Sequence, residues 1–161
     1  MAIRPELKTI NWLNPIHFCS LGFGSGLAPK APGTFGTLAA LPLVYLMGTF
    51  LPFYAYLAIT LVAAILGCYL CGQTAKALNA HDHPAIVWDE FVGLMITFIF
   101  IPVSTVNLLV GFCLFRFFDI IKPWPISFVD KKIHGGTGIM LDDIIAGLMA
   151  LGCLHLYLHY F

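Results

Sequence analysis

Five apolar runs, parted by short loops, decide what this chain can become. They cover residues 35–51, 53–71, 91–101, 105–121 and 141–161. A helix rises about 1.5 Å per residue, so about 20 residues cross the hydrocarbon of a bilayer. Four of the runs approach that length; 91–101 does so only if residues 85–88 join it. Soluble domains are about half apolar and about a quarter charged. This chain is 60% hydrophobic and 10% charged, with a mean hydropathy of +0.91. The expectation is an all-α, polytopic membrane helical bundle of about four to five transmembrane helices, forming a single domain over 1–161. Residues 1–14, with Arg4, Glu6 and Lys8, are too polar for the apolar core of a signal peptide. Residues 15–27 are apolar, glycine-rich and too short to span, which predicts a short N-terminal surface or re-entrant helix.

Folding the runs back and forth sorts the charges. One set of loops carries Lys30, Lys76, Asp82, Asp89, Glu90, Lys122, Asp130, Lys131 and Lys132, with Arg116, Asp119, Asp142 and Asp143 at adjoining helix ends. The opposite loops, near Pro52 and at 102–107, carry none. By the positive-inside rule the charged face is cytoplasmic. Because the formal net charge is zero, no global field draws nucleic acid; local placement is what matters.

The acids need a reason to be there. Asp89 and Glu90 open one apolar run, Asp142 and Asp143 open another, and Asp119 closes a third. Acids in a first helical turn complement the helix dipole, which accounts for one pair by itself but not for Asp119. Two carboxylates about 4 Å apart repel by roughly 4 kcal/mol at an effective dielectric of 20. A cluster of four or five therefore calls for a divalent cation. All-oxygen ligation favours magnesium, which takes one or two carboxylates plus waters and substrate phosphate. Arg116, Asp119 and Lys122, spaced i, i+3, i+6, share a helical face, either as an ion-pair ladder or as a phosphate clamp. The glycine loops at 32–37 and 135–138 each precede an apolar run and would aim helix N-terminal amides at an anion. Neither ends in Gly-Lys-Ser/Thr, so neither is a Walker loop, and plain turn formation competes with both. His81, His83 and His134 are candidate proton carriers. Cys68-x-x-Cys71 with His81 and His83 fits no zinc spacing, and the five cysteines read as small hydrophobes with no disulfide framework.

Taken in order, the motifs carry a resemblance. They are Gly22-Phe23-Gly24-Ser25-Gly26-Leu27, Pro32-Gly33-Thr34-Phe35-Gly36-Thr37, and His81-Asp82-His83 with Ile86-Val87-Trp88-Asp89-Glu90-Phe91-Val92-Gly93. Two more follow: Phe115 through Ile126, containing Arg116, Asp119 and Lys122, and Gly135 through Gly147, containing Asp142-Asp143. Over nearly the whole chain this pattern resembles the phosphatidylglycerophosphatase A family. Departures are small: Thr37 stands where a serine is expected, and Lys30 adds a base to the first loop.

The resemblance implies a magnesium-dependent phosphatase of the bacterial inner membrane, with its active site on the cytoplasmic face. It would convert phosphatidylglycerophosphate to phosphatidylglycerol and phosphate among membrane lipids, with no obligatory protein partner. Residue chemistry and resemblance together nominate Asp89, Glu90, Asp119, Asp142 and Asp143 for the metal. Arg116, Lys122, Gly33, Thr34 and Thr37 are nominated for the phosphate, and Asp89, Glu90, Asp119, Asp143 and His83 for catalysis. The attacking group stays open between an activated water and an aspartate. The rival from another class is a small ion or proton carrier using the same acids. It needs charges at mid-membrane depth, whereas the sequence places these at helix ends.

Overall fold

The computed structural model describes residues 7, 10–80 and 82–160. Among these every regular element is helical. A short α1 (Pro15–Ser20), capped by the Asn14 side chain on the Ile16 amide, leads into a 3₁₀ segment, Gly22–Leu27, kinked at Phe23 and Gly24. The single short helix expected at residues 15–27 is thus split into two pieces. Then come α2 (Pro32–Phe50), α3 (Phe53–Ala77), α4 (Trp88–Thr97), α5 (Thr105–Ile121), α6 (Ile126–Lys132) and α7 (Gly135–Tyr160).

Three of them, α2, α3 and α7, are long and apolar enough to cross a membrane. The large apolar side chains they expose, among them Leu46, Leu61, Ile65 and Leu156, suit contact with lipid rather than water.

α4 departs from expectation. The run at 91–101 does not fold as a span: its helix stops at Thr97 after 10 residues, about 15 Å. From Glu90 to Thr97 every residue is buried. A helix apolar on all sides belongs inside a protein, and α4 forms the hub against which α2, α3, α5 and α7 pack. Gly93 and Gly147 make the α4–α7 contact possible. A Cβ on Gly147 would press on the Gly93 backbone, and one on Gly93 on the Phe115 ring. Small residues allow such close backbone approach between helices in a bilayer. Polar anchors complete the hub: Tyr56 Oη donates to the Met95 carbonyl (2.7 Å) and Trp88 Nε1 to the Ala63 carbonyl (3.1 Å).

The bundle has two unlike ends. At one, the α2–α3 turn meets the α4–α5 loop, with Phe53 stacked on Phe100 at 3.8 Å and Gly48 against Val103. It carries no charge. At the other, Arg116 and Lys122 reach acids of α4 and α7. The charge sorting read from the loops is thus present in three dimensions.

α7 corrects a second expectation. Its helix starts at Gly135, so the glycine run at 135–138 is its first turn rather than a loop before it. Asp142 and Asp143 accordingly lie two turns inside, not at the N-terminus. Dipole stabilisation fades beyond the first turn, so capping does not explain this pair. Nor do these two acids sit at a helix end, as the case against an ion carrier assumed.

Candidate active site

A cavity of about 310 Å³ at the charged end collects the polar residues of four separate segments. Asp89 and Glu90 reach it from the first turn of α4, Arg116 and Asp119 from the last turns of α5, and Asp142 and Asp143 from α7. Ala31, Pro32 and Gly33 form the wall at the start of α2.

Each position has a local cause. Pro123 bars helical geometry at the preceding residue, and Lys122 takes a left-handed conformation (φ 46°) as the C-cap of α5. That turn carries its ammonium to Asp142 of α7 (2.5 Å) and Asp130 of α6 (2.8 Å). Burial alone would lower the Lys122 pKa, but its two carboxylate partners outweigh burial and raise it. Arg116 makes an i, i+3 pair with Asp119 (2.5 Å) and crosses to Glu90 Oε1 (3.3 Å). Gly33 is required by contact: a Cβ there would run into the Glu90 carboxylate and the Arg116 guanidinium. α2 begins at Pro32 with no side-chain cap, so the first-turn amides, which have no intrahelical acceptor, gain none from a capping side chain; of these residues Gly33 lines the cavity.

Charge in the cavity does not balance. Asp82, Asp89, Glu90, Asp119, Asp142 and Asp143 line it against Arg116 and Lys122 alone. Asp89 Oδ1, Glu90 Oε2 and Asp143 Oδ2 are buried with no hydrogen-bond partner, and so is Arg116 Nε. Buried polar atoms of native proteins are nearly always satisfied. Orphans of both signs around one space fit a ligand set of both signs, a cation and an oxyanion. Burial, reinforced by neighbouring Glu90, drives the Asp89 carboxyl well above the usual carboxylate range. Burial pushes Glu90 up to about 8 despite the opposing pull of Arg116. Both describe carboxylates short of positive charge. Among the described residues no three His, Cys, Asp or Glu side chains form a finished metal cage. A magnesium ion needs only one or two carboxylates when waters and phosphate complete its shell. Asp89 and Asp143, acids with no protein cation in contact, fit that need.

Other nominated residues fall elsewhere. Thr37 is buried; it donates to the Gly33 carbonyl (2.9 Å) and accepts from Arg116 Nη1 (3.4 Å), so it steadies the arginine. Thr34 lies in the first turn of α2 but does not line the cavity, and neither does His83. His83 is buried in the turn before α4, where its Nδ1 accepts the Ala85 amide (3.2 Å). His81 lies outside the described residues. Two acids were not nominated. Asp82 lines the cavity and Asp130 holds Lys122. The motif run containing Asp82 could have flagged the first; nothing in the sequence separates Asp130 from the solvated Lys131 and Lys132 beside it.

Fold and site define a class: an all-helical protein with membrane-length helices and a cavity lined by six acids and two bases. The sequence profile of the family described as phosphatidylglycerophosphatase A matches residues 18–158, and the chain belongs to that family. It is 48% identical to phosphatidylglycerophosphatase A of Escherichia coli K12, over 99% of this chain and 96% of that protein. It is also 48% identical to the Haemophilus influenzae protein of the same name, over 94% and 93% of the two chains. A Bacteroides thetaiotaomicron protein, provisionally named a phosphatidylinositol-3-phosphatase, is 35% identical over 79% of this chain and 83% of its own length. No solved structure matches.

Proposed function

We propose that this enzyme hydrolyses the terminal phosphomonoester of phosphatidylglycerophosphate, giving phosphatidylglycerol and inorganic phosphate. The observation that carries the reading is the meeting of unpartnered carboxylate oxygens and an unpartnered arginine donor around one cavity. Phosphoryl transfer needs positioning and charge stabilisation rather than elaborate covalent chemistry. Arg116, kept in place by Glu90, Asp119 and Thr37, brings its guanidinium to the cavity as the partner of a phosphate oxygen. Lys122, at the end of the same helix, lines the cavity with it, and the Gly33 amide at the start of α2 would add a donor where negative charge grows. Asp89 and Asp143 would hold magnesium, with Glu90, Asp119 and Asp142 balancing the bases beside it. When bound, such an ion supplies charge stabilisation and an acidified water. The carrier alternative gives way to this reading because the family is named for a phosphatase.

The test is phosphate release by purified protein across a panel of lipid phosphomonoesters. Phosphatidylglycerophosphate is expected to lead. A better rate on phosphatidylinositol 3-phosphate would transfer the reading to the chemistry in the Bacteroides relative's name.

For the membrane arrangement we propose four spans, α2, α3, α5 and α7, in the bacterial inner membrane. At 17 residues α5 sits at the short end of spanning length. Lys30, Lys76, Lys131 and Lys132, all at the charged end, support a cytoplasmic orientation of that end and of the site with it. In a cysteine-free background, a single cysteine near Lys131 should resist an impermeant thiol reagent in intact cells, and one near Phe53 should react. The reverse pattern would place the cavity outside.

A further inference from the structure

Resting on the phosphatase reading, we propose that the lipid substrate enters the cavity sideways from the bilayer across Ile120, which makes Ile120 a residue that selects for membrane-resident substrates. At about 310 Å³ the cavity is at the lower limit of ligand pockets, about 300–1,000 Å³. It has room for a phosphorylated headgroup but not for two acyl chains, which must stay outside while the phosphate is bound. The rim is two-sided. Ala31, Asp82 and Pro84 are exposed around one part of it, beside the polar segments of the charged end. Ile120 forms the apolar part: it lines the cavity and is still 67% exposed.

From that point an apolar path leads away. Val106, Leu109, Cys113, Phe117 and Ile120 recur at intervals of three and four along α5, and all are exposed. Residues so spaced share one helix face. The path therefore runs from the charge-free end of the bundle to the cavity mouth. Two other apolar grooves, one beside Trp88 on α3 and one between α2 and the 3₁₀ segment, share no lining residue with the cavity. Neither groove is continuous in its lining with the site, whereas the α5 path ends at a residue of the cavity itself. An amphipathic mouth with an apolar track leading from its Ile120 edge matches an amphipathic substrate lying in the bilayer.

Ile120→Trp tests this, with Leu61→Trp, an exposed α3 position that lines neither the cavity nor the path, as the control. Each protein is reconstituted in liposomes and assayed on dioleoyl phosphatidylglycerophosphate, and separately on the dihexanoyl form in free solution. Ile120→Trp should raise KM for the dioleoyl lipid about tenfold, with kcat nearly unchanged. Its kcat/KM on the dihexanoyl form, and both values for Leu61→Trp, should stay within about twofold of wild type. The proposal is overturned if Ile120→Trp handles the dioleoyl lipid normally, if both substrates suffer equally, or if Leu61→Trp has the same effect. A wild-type protein inactive on both substrates would instead sink the phosphatase reading beneath it.

Discussion

Asp89→Asn and Asp143→Asn are each expected to lower kcat/KM on the lipid phosphate by about 100-fold or more, at least ~2.7 kcal/mol of transition-state stabilisation. The fold should survive both changes. Neither acid is in contact with a protein cation, so neither amide breaks an ion pair. Asp89 Oδ1 and Asp143 Oδ2 also have no hydrogen-bond partner to lose. The amide removes a charge that only a bound ion would use. Glu90→Gln and Asp142→Asn are less clean, because Glu90 supports Arg116 and Asp142 supports Lys122. Breaking a buried pair on one side costs about 3–5 kcal/mol, so their losses should come with a lower Tm. Normal turnover in purified Asp89→Asn and Asp143→Asn would remove the metal site from the proposal.

Stripping divalent cations should bring turnover to background, and magnesium should restore it. The reason is again the surplus of acids over bases around the cavity. A binding readout independent of activity follows by linkage. An ion that binds only the folded protein stabilises it by about 2.7 kcal/mol at a hundred times its Kd. Magnesium should therefore raise the Tm of the wild type and leave that of Asp89→Asn nearly unchanged. Full turnover in metal-free buffer would end the cation reading, whatever the Tm did.

Much of this molecule was legible because its polar residues are rare. In an apolar chain each acid or base at a run boundary is conspicuous, and Asp89, Glu90, Arg116, Asp119, Lys122, Asp142 and Asp143 all proved to line one cavity. Run lengths likewise placed α2, α3 and α5 to within a few residues, apart from the extension of α3 to Ala77. The failures have tertiary causes. Gly135-Gly136-Thr137-Gly138 has poor helix propensity and reads as a loop. Yet Gly136 packs on the α3 backbone near Cys68 and Gly72, a contact only glycine permits, and the helix forms there. α4 was overextended because hydropathy cannot tell a short helix buried in protein from part of a span. His83, nominated for catalysis, lies outside the cavity lining, with its Nδ1 accepting the Ala85 amide.

The position of Asp142 and Asp143 inside α7 bears on how the chain enters the bilayer. On insertion scales an aspartate near a helix centre costs about 2.5–3.5 kcal/mol, so this pair sets up to about 5–7 kcal/mol against the leucines and isoleucines around it. α7 is also the last of the long helices to leave the ribosome. By then α5 is already made, with Lys122 turned at its end towards the place Asp142 will occupy. Synthesised first, the same helix would meet lipid with both carboxylates bare. The order of segments along the chain thus acts as a chaperone here, delivering α7 only after the counter-ion of Asp142 has been installed.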